Sequence, residues 1–284
     1  MKTLILPKHS IHTGNLILVN QQYPYIEDTN AHFVPVLDTG FAASTKNSHH
    51  SSTIVQESTT TVLMNRRAVN LLNILMEEIH GWRHILPVSG WRSMQEQQKI
   101  WDDSLFENGL EFTQKFVAVP GHSEHQTGLA IDLGLKKQDI DFICPDFPYY
   151  GICQTFRSKA ADFGFIERYP AGKESVTGIG HEPWHFRYVG IPHAAIMTDQ
   201  HMTLEEYINF IKQYPYGKRP LRYRKNGQDI QVSYLKADPE KDTELGIYTE
   251  MPYSVSGNNV DGFIITEWRE NHGSRTTGSE LRRT

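Results

Sequence analysis

Between Gly121 and Asp132 the chain reads Gly-His-Ser-Glu-His-Gln-Thr-Gly-Leu-Ala-Ile-Asp, a turn-forming segment that runs straight into an apolar stretch. No other part of the sequence restricts the fold as strongly. Gly128 permits a sharp turn or a close backbone approach. The run Leu129 to Leu133 behind it has the length and composition of a buried strand, which would carry Asp132 back towards His125, seven positions earlier. Fifty-three positions after Asp132, Glu182-Pro-Trp-His185 supplies a second histidine with a carboxylate three residues before it. Pro183 stiffens that link.

Two imidazoles and one carboxylate suit a catalytic zinc ion, which takes three protein ligands and keeps a fourth position for water, whose pKa it lowers to about 7. His125, Asp132 and His185 are the candidate ligands. A nearby carboxylate would take the proton of that water, and Glu182 is the candidate. Negative charge on an amide carbonyl oxygen under attack would be met from the other side by a fixed cation. Arg92 fits, because it lies where the strand Ile85-Leu-Pro-Val88 ends and a polar helix begins.

Each part has a plainer explanation when taken alone. With fourteen histidines, one His-x6-Asp pair is more often structural than metal-binding, a lone Arg92 is a surface ion-pair partner, and a lone Glu182 is a solvated loop acid. The features together carry the argument. His122 and His181 adjoin the candidate ligands, but hydrogen bonding or exposure accounts for both. His49 and His50 fall in a Ser/Thr-rich stretch, 44–61, that reads as a surface loop. The basic run from Lys218 to Lys225 sits beside a turn and reads as a charged edge strand.

The chain has 284 residues, 38% of them apolar, enough for a substantial core without disulfides. Its formal charge of −5 argues against a partner bound through phosphates, so nucleic acid is not expected. Cys144 and Cys153 lack metal-ligand spacing and are expected to be reduced thiols. The apolar run Leu4-Ile5-Leu6 is too short for a signal segment or a membrane span, so a cytoplasmic protein is expected.

Helix-period patterns occur from Asn65 to Gly81, from about Ser93 to Glu107, from Tyr150 to Phe163 before Gly164, and from Thr203 to Tyr214, where Thr203 and Glu206 form a capping-box pair. Strand-like runs lie at Asn15–Asn20, 85–88, 129–133 and 186–189. The last 65 or so residues turn to strand patterns, with one hairpin at Asn226-Gly227 and another bent at Gly257-Asn-Asn between 253–255 and 263–265. Residues 272–284 read as a frayed tail. The expected organisation is a domain over 1–214 and a small β-rich appendage over 215–284.

The pattern Ser123-x-His125-x-x-Gly128-x-Ala130-x-Asp132, followed by Glu182-Pro183-Trp184-His185, resembles the signature of the zinc D-alanyl-D-alanine peptidases related to hedgehog domains. Within that group the chain is most similar to the vancomycin-resistance peptidases of the VanXY and VanY type, through Leu18-Val-Asn20, Val88-Ser-Gly-Trp-Arg-Ser93 and Trp184-His-Phe-Arg-Tyr-Val-Gly190. The Leu204-Glu-Glu-Tyr207 helix fits as well. The likeness spans roughly residues 15–212.

The resemblance implies an α+β fold, a central antiparallel sheet flanked by helices, carrying a single catalytic zinc. It implies zinc ligation by His125, Asp132 and His185, Glu182 as general base and then acid, and Arg92 on the oxyanion. Ser123 and Gln97 match positions that contact the substrate terminus. Ser89 stands where dipeptidase members carry Asp, which implies a preference for longer peptides over free D-Ala-D-Ala. The implied activity is removal of terminal D-Ala from D-Ala-D-Ala-ending peptidoglycan precursors, as a D,D-carboxypeptidase with D,D-dipeptidase activity in view, conferring glycopeptide resistance. A phage-type wall endopeptidase and a non-catalytic zinc-binding module are the alternatives, the latter opposed by the presence of both Glu182 and Arg92. A homo-oligomer stays open.

Overall fold

The computed structural model describes residues 2–36, 61–248 and 251–269, and the backbone of 280–282. The Ser/Thr-rich stretch from 44 to 60, with His49 and His50, lies outside the described residues. In chain order the elements are β1 (Lys2–Leu6), β2 (Phe33–Pro35), β3 (Leu63–Asn65), α1 (Arg66–Glu78), β4 (Ile85–Ser89), α2 (Met94–Phe116), β5 (Ala130–Leu135), α3 (Gly151–Ala160), β6 (Phe165–Tyr169), α4 (Glu174–Thr177), β7 (Glu182–Tyr188), α5 (His193–Asp199), α6 (Leu204–Ile211), β8 (Leu221–Lys225), β9 (Gln228–Lys236), β10 (Thr243–Ile247), β11 (Tyr253–Gly257), β12 (Gly262–Arg269) and β13 (Glu280–Arg282). Helix and sheet are mixed throughout.

Residues 20–198 form one compact unit, and residues 1–19 together with 199–284 form the other. This grouping runs across the division at 214 and 215 drawn from the sequence pattern. In the first unit, β4-β5-β7-β6 make a four-stranded antiparallel sheet. The first five residues of β5 are all buried, as a central strand covered on both faces requires. α1 buries Ala68, Val69, Leu72, Leu75 and Met76, the stripe that the 3.6-residue period demands, and leaves Ile74 to solvent. Its first turn is capped by Asn65, whose side chain accepts from the Arg67 N–H at 3.0 Å. α2 starts at a Ser93–Glu96 capping box and runs beyond the expected end near Glu107, to Phe116. Gly109, at φ 80°, breaks the helical path within it, so the early stop in the pattern marks a kink and not an end.

The second unit is built on the five-stranded antiparallel sheet β11-β12-β9-β8-β13. Asn226 and Gly227 both have positive φ, the requirement of the tight hairpin that joins β8 to β9. At the other hairpin Asn258 Oδ1 accepts from the N–H groups of Val260, Asp261 and Gly262, which closes the loop before β12. Two expectations change here. Residues 280–282 are not part of a frayed tail but pair with β8, while the rest of 270–284 lies outside the described residues. The apolar run Leu16–Val19 is buried yet is not a strand, because its backbone bonds to loop groups: the Leu16 N–H donates to Ser256 Oγ and the Leu18 N–H to the Asn258 carbonyl. Both cysteines are free thiols.

Candidate active site

The sheet of residues 20–198 sets a row of side chains by register. On β5, Asp132 lies opposite Ser89 of β4 on one side and opposite His185 of β7 on the other. His125 reaches the same place from the short 3-10 turn Glu124–Thr127, which Gly128 closes at φ 68°. A Cβ on Gly128 would stand 2.4 Å from the Phe33 ring, so both the conformation and the space demand glycine there. His125, Asp132 and His185 thus bring one ligand atom each to within 4.8 Å of one another, all three buried.

The protonation pattern inside this trio follows from the hydrogen bonds. His125 Nδ1 lies 2.6 Å from the Gly90 carbonyl, which can only accept, so the ring proton sits on Nδ1 and Nε2 presents a lone pair. That Nε2 faces Asp132 Oδ2 at 3.1 Å, two acceptors converging on one point. On the other side His185 Nδ1 is 2.8 Å from Asp132 Oδ1. Such a convergence of lone pairs is stable only against a cation, and Arg92 Nη2 supplies one, 3.0 Å from Asp132 Oδ2 and 3.2 Å from His125 Nε2.

Charge differs sharply across the site. Burial raises the Asp132 carboxyl, but His125 and His185 outweigh it and hold Asp132 far below the usual carboxylate range. Burial lowers the His125 imidazole, with Arg92 adding to the effect, to about 4. Burial acts on Glu182 with less compensation: despite His185 and Arg92, and with Asp132 adding its own repulsion, its carboxyl is pushed up to about 8. Glu182 Oε2 lies 3.7 Å from His185 Nδ1 at the start of β7.

All eight residues singled out from the sequence line one cavity of about 180 Å³, together with apolar walls that include Val88, Phe116, Ile143 and Trp184. Ser89 and Gln97 are also partners of Arg92: its Nε donates to Ser89 Oγ at 2.8 Å and its Nη1 to Gln97 Oε1 at 3.2 Å. Gln97 is anchored in turn by its Nε2 on the Ala118 carbonyl at 2.8 Å. His122 and His181 stand apart from the trio, the first with Nδ1 at 2.7 Å from the Asn20 carbonyl and the second against the Tyr149 hydroxyl.

Sequence reasoning passed over Glu124, Arg168 and Arg187, which form a buried ionic cluster that meets the cavity at Glu124. Glu124 occupies a place that the motif leaves unspecified, and its partners lie 44 and 63 residues away. The available signal was two arginines flanked by aromatic residues in strand-like runs, Arg168 before Tyr169 and Arg187 between Phe186 and Tyr188.

Residues 62–191 match the VanY family, described as D-alanyl-D-alanine carboxypeptidase. Over 92% of its length the chain is 31% identical to a D-alanyl-D-alanine carboxypeptidase of Enterococcus faecium, 77% of which is covered. The chain belongs to the VanY family. A second VanY-like relative, the bifunctional D-Ala-D-Ala dipeptidase and D-Ala-D-Ala carboxypeptidase VanXYC of Enterococcus gallinarum, is 54% identical over 127 residues, which is 44% of this chain and 67% of that protein. The crystal structure of the vancomycin resistance D,D-dipeptidase VanXYg, in complex with a D-Ala-D-Ala phosphinate analog, superposes with a TM-score of 0.84 at 47% identity, covering 94% of this chain and 99% of that one. Among the described residues, no helix is long and apolar enough to cross a membrane.

Proposed function

We propose that this VanY-family chain is a zinc D,D-peptidase that releases the terminal D-Ala from D-Ala-D-Ala-ending peptidoglycan precursors, acting as a carboxypeptidase and also on free D-Ala-D-Ala. By consuming those ends in the cytoplasm it would remove the target of glycopeptide antibiotics. The observation that carries this reading is the convergence of His125, Asp132 and His185 beside Glu182 and Arg92 in a single cavity.

The residues fit zinc by donor chemistry: two imidazole nitrogens and an ionised carboxylate, drawn together from a turn and two paired strands. His125 through Nε2, Asp132, and His185 through Nδ1 would hold the ion. When bound, zinc supplies Lewis acidity to the scissile carbonyl and to the attacking water. Glu182 would take the proton of the attacking water and return it to the leaving amine, and burial, which lifts its carboxyl to about 8, favours the protonated form that makes the return. The Arg92 guanidinium meets the charge that develops on the carbonyl oxygen, a contribution on the order of 3 kcal/mol for a donor of this kind. Ser123 and Gln97 receive the substrate terminus. Ser89 offers a neutral hydroxyl where a free dipeptide would need a carboxylate for its ammonium, so longer peptides are preferred.

The deciding experiment incubates purified protein with D-Ala-D-Ala, a D-Ala-D-Ala-ended pentapeptide and an L,D-linked tetrapeptide, before and after chelation and zinc restoration. Expected is D-Ala from the first two substrates, a higher kcat/KM for the pentapeptide, and loss and recovery of both activities with zinc. Cleavage of the tetrapeptide alone, or turnover untouched by chelation, would overturn the reading.

A further inference from the structure

Arg168 and Arg187 meet on Glu124, a residue of the cavity wall, and all three side chains are withdrawn from solvent, with exposures of 0%. Burying several charges together costs several kcal/mol per ion, and well-packed apolar residues often do as well or better for stability alone. The cluster therefore calls for another reason to exist, and its geometry contains one. Glu124 Oε1 takes both cations, Arg168 Nε at 2.8 Å and Arg187 Nη1 at 2.7 Å. Among the described residues, Glu124 Oε2 takes no hydrogen bond, and it faces His185 Nε2 at 3.6 Å, itself a buried nitrogen without one. A carboxylate oxygen and a ring nitrogen, both buried without a hydrogen bond and 3.6 Å apart, are the two halves of one N–H to O bond.

We propose that Glu124, clamped by Arg168 and Arg187, is the positioning residue that holds the Nε2–H of His185 and so frees Nδ1 for the metal position it shares with Asp132. Two guanidinium groups on one oxygen hold the carboxylate so that its second oxygen points at the ring. The same residue precedes His125 in its turn, so the cluster also anchors the segment that delivers the first imidazole. Carboxylate or carbonyl partners of this kind typically change metal affinity by about 10–100-fold. The inference rests on the reading of His125, Asp132 and His185 as metal ligands.

The test combines zinc affinity, by competition with a chromophoric chelator, with proton–nitrogen spectra of histidine-labelled protein. In the zinc-loaded wild type, His185 should show a protected, downfield Hε2 proton. Glu124→Gln should bind zinc about 10–100-fold more weakly and lose that protection, while the thermal transition of the zinc-free protein reports that it is folded. Arg187→Lys, which keeps the charge and the carboxylate but removes the planar fork, should weaken zinc in the same direction by less and so serves if the first variant does not fold. A folded variant with wild-type affinity and an unchanged His185 signal overturns the proposal, as does a zinc-loaded wild type without a protected Hε2. A wild type that takes up no zinc sinks the metal-site reading and this inference with it; equal zinc in wild type and variant sinks this inference alone.

Discussion

Glu182 and Asp132 are buried carboxylates beside the same imidazole, yet their surroundings drive them to opposite states. Asp132 touches His125, His185 and Arg92 and stays ionised, while burial outweighs the cations around Glu182 and lifts it to about 8. One is suited to hold a metal, the other to exchange a proton. Glu182→Gln should accordingly keep stoichiometric zinc and lose about 10²-fold or more in kcat; near-normal turnover with zinc in place would remove Glu182 from the mechanism. Arg92 serves four groups at once through one planar fork, Ser89 by Nε, Gln97 by Nη1, and Asp132 and His125 by Nη2. A lysine ammonium cannot reproduce that fork. Steady-state kinetics of Arg92→Lys should show kcat falling more than KM rises, and a change confined to KM would make Arg92 a binder of the ground-state substrate.

Among the elements, α5 begins with a histidine that the site does not use. Burial pushes His193 down to about 3, so between there and its ordinary value near 6.5 the unfolded chain binds a proton that the folded chain refuses. Stability is therefore full above about pH 6.5 and falls as pH drops through that window, by up to about 1.4 kcal/mol per pH unit for this group. His193→Gln should flatten that part of the acid loss, read from urea midpoints between about pH 7 and about pH 5. Parallel curves for the two proteins would show that His193 is not a source of acid sensitivity. The helices and hairpins themselves were visible in the pattern because their signals are local: an apolar stripe in α1, a capping box at Thr203 and Glu206, an Asn-Gly turn before β9. The continuation of α2 past Gly109 was not, since a glycine ends a helical pattern in sequence whether the helix stops or only kinks there.

For the molecule as a whole, the two chain ends share a unit. β1 pairs along its full length with β10, and Leu4 and Leu6 pack on the cluster of Leu245, Ile247, Phe263 and Ile265. Deleting residues 1–6 removes those two leucines and a row of ladder hydrogen bonds, and should cost that unit on the order of 2–4 kcal/mol. Trp268, the one tryptophan of residues 1–19 and 199–284, reports it. Expected is a urea transition at Trp268 moved to lower denaturant; an unmoved transition would mean that β1 adds nothing to the unit.

Local chemistry in the chain picked out the residues that gather in the cavity and most of the elements they sit on. The glycine after His125, the apolar run into Asp132 and the proline-stiffened approach to His185 are each legible within a dozen positions. Tertiary structure alone decided the register that sets Asp132 between Ser89 and His185, the folding of Leu16–Val19 as buried coil, and the burial of Arg168 and Arg187 on Glu124. Strand alternation marks a residue as facing inward, but charge pairing across tens of residues depends on which strands become neighbours. No local pattern encodes that choice, because it is made by the packing of the whole sheet.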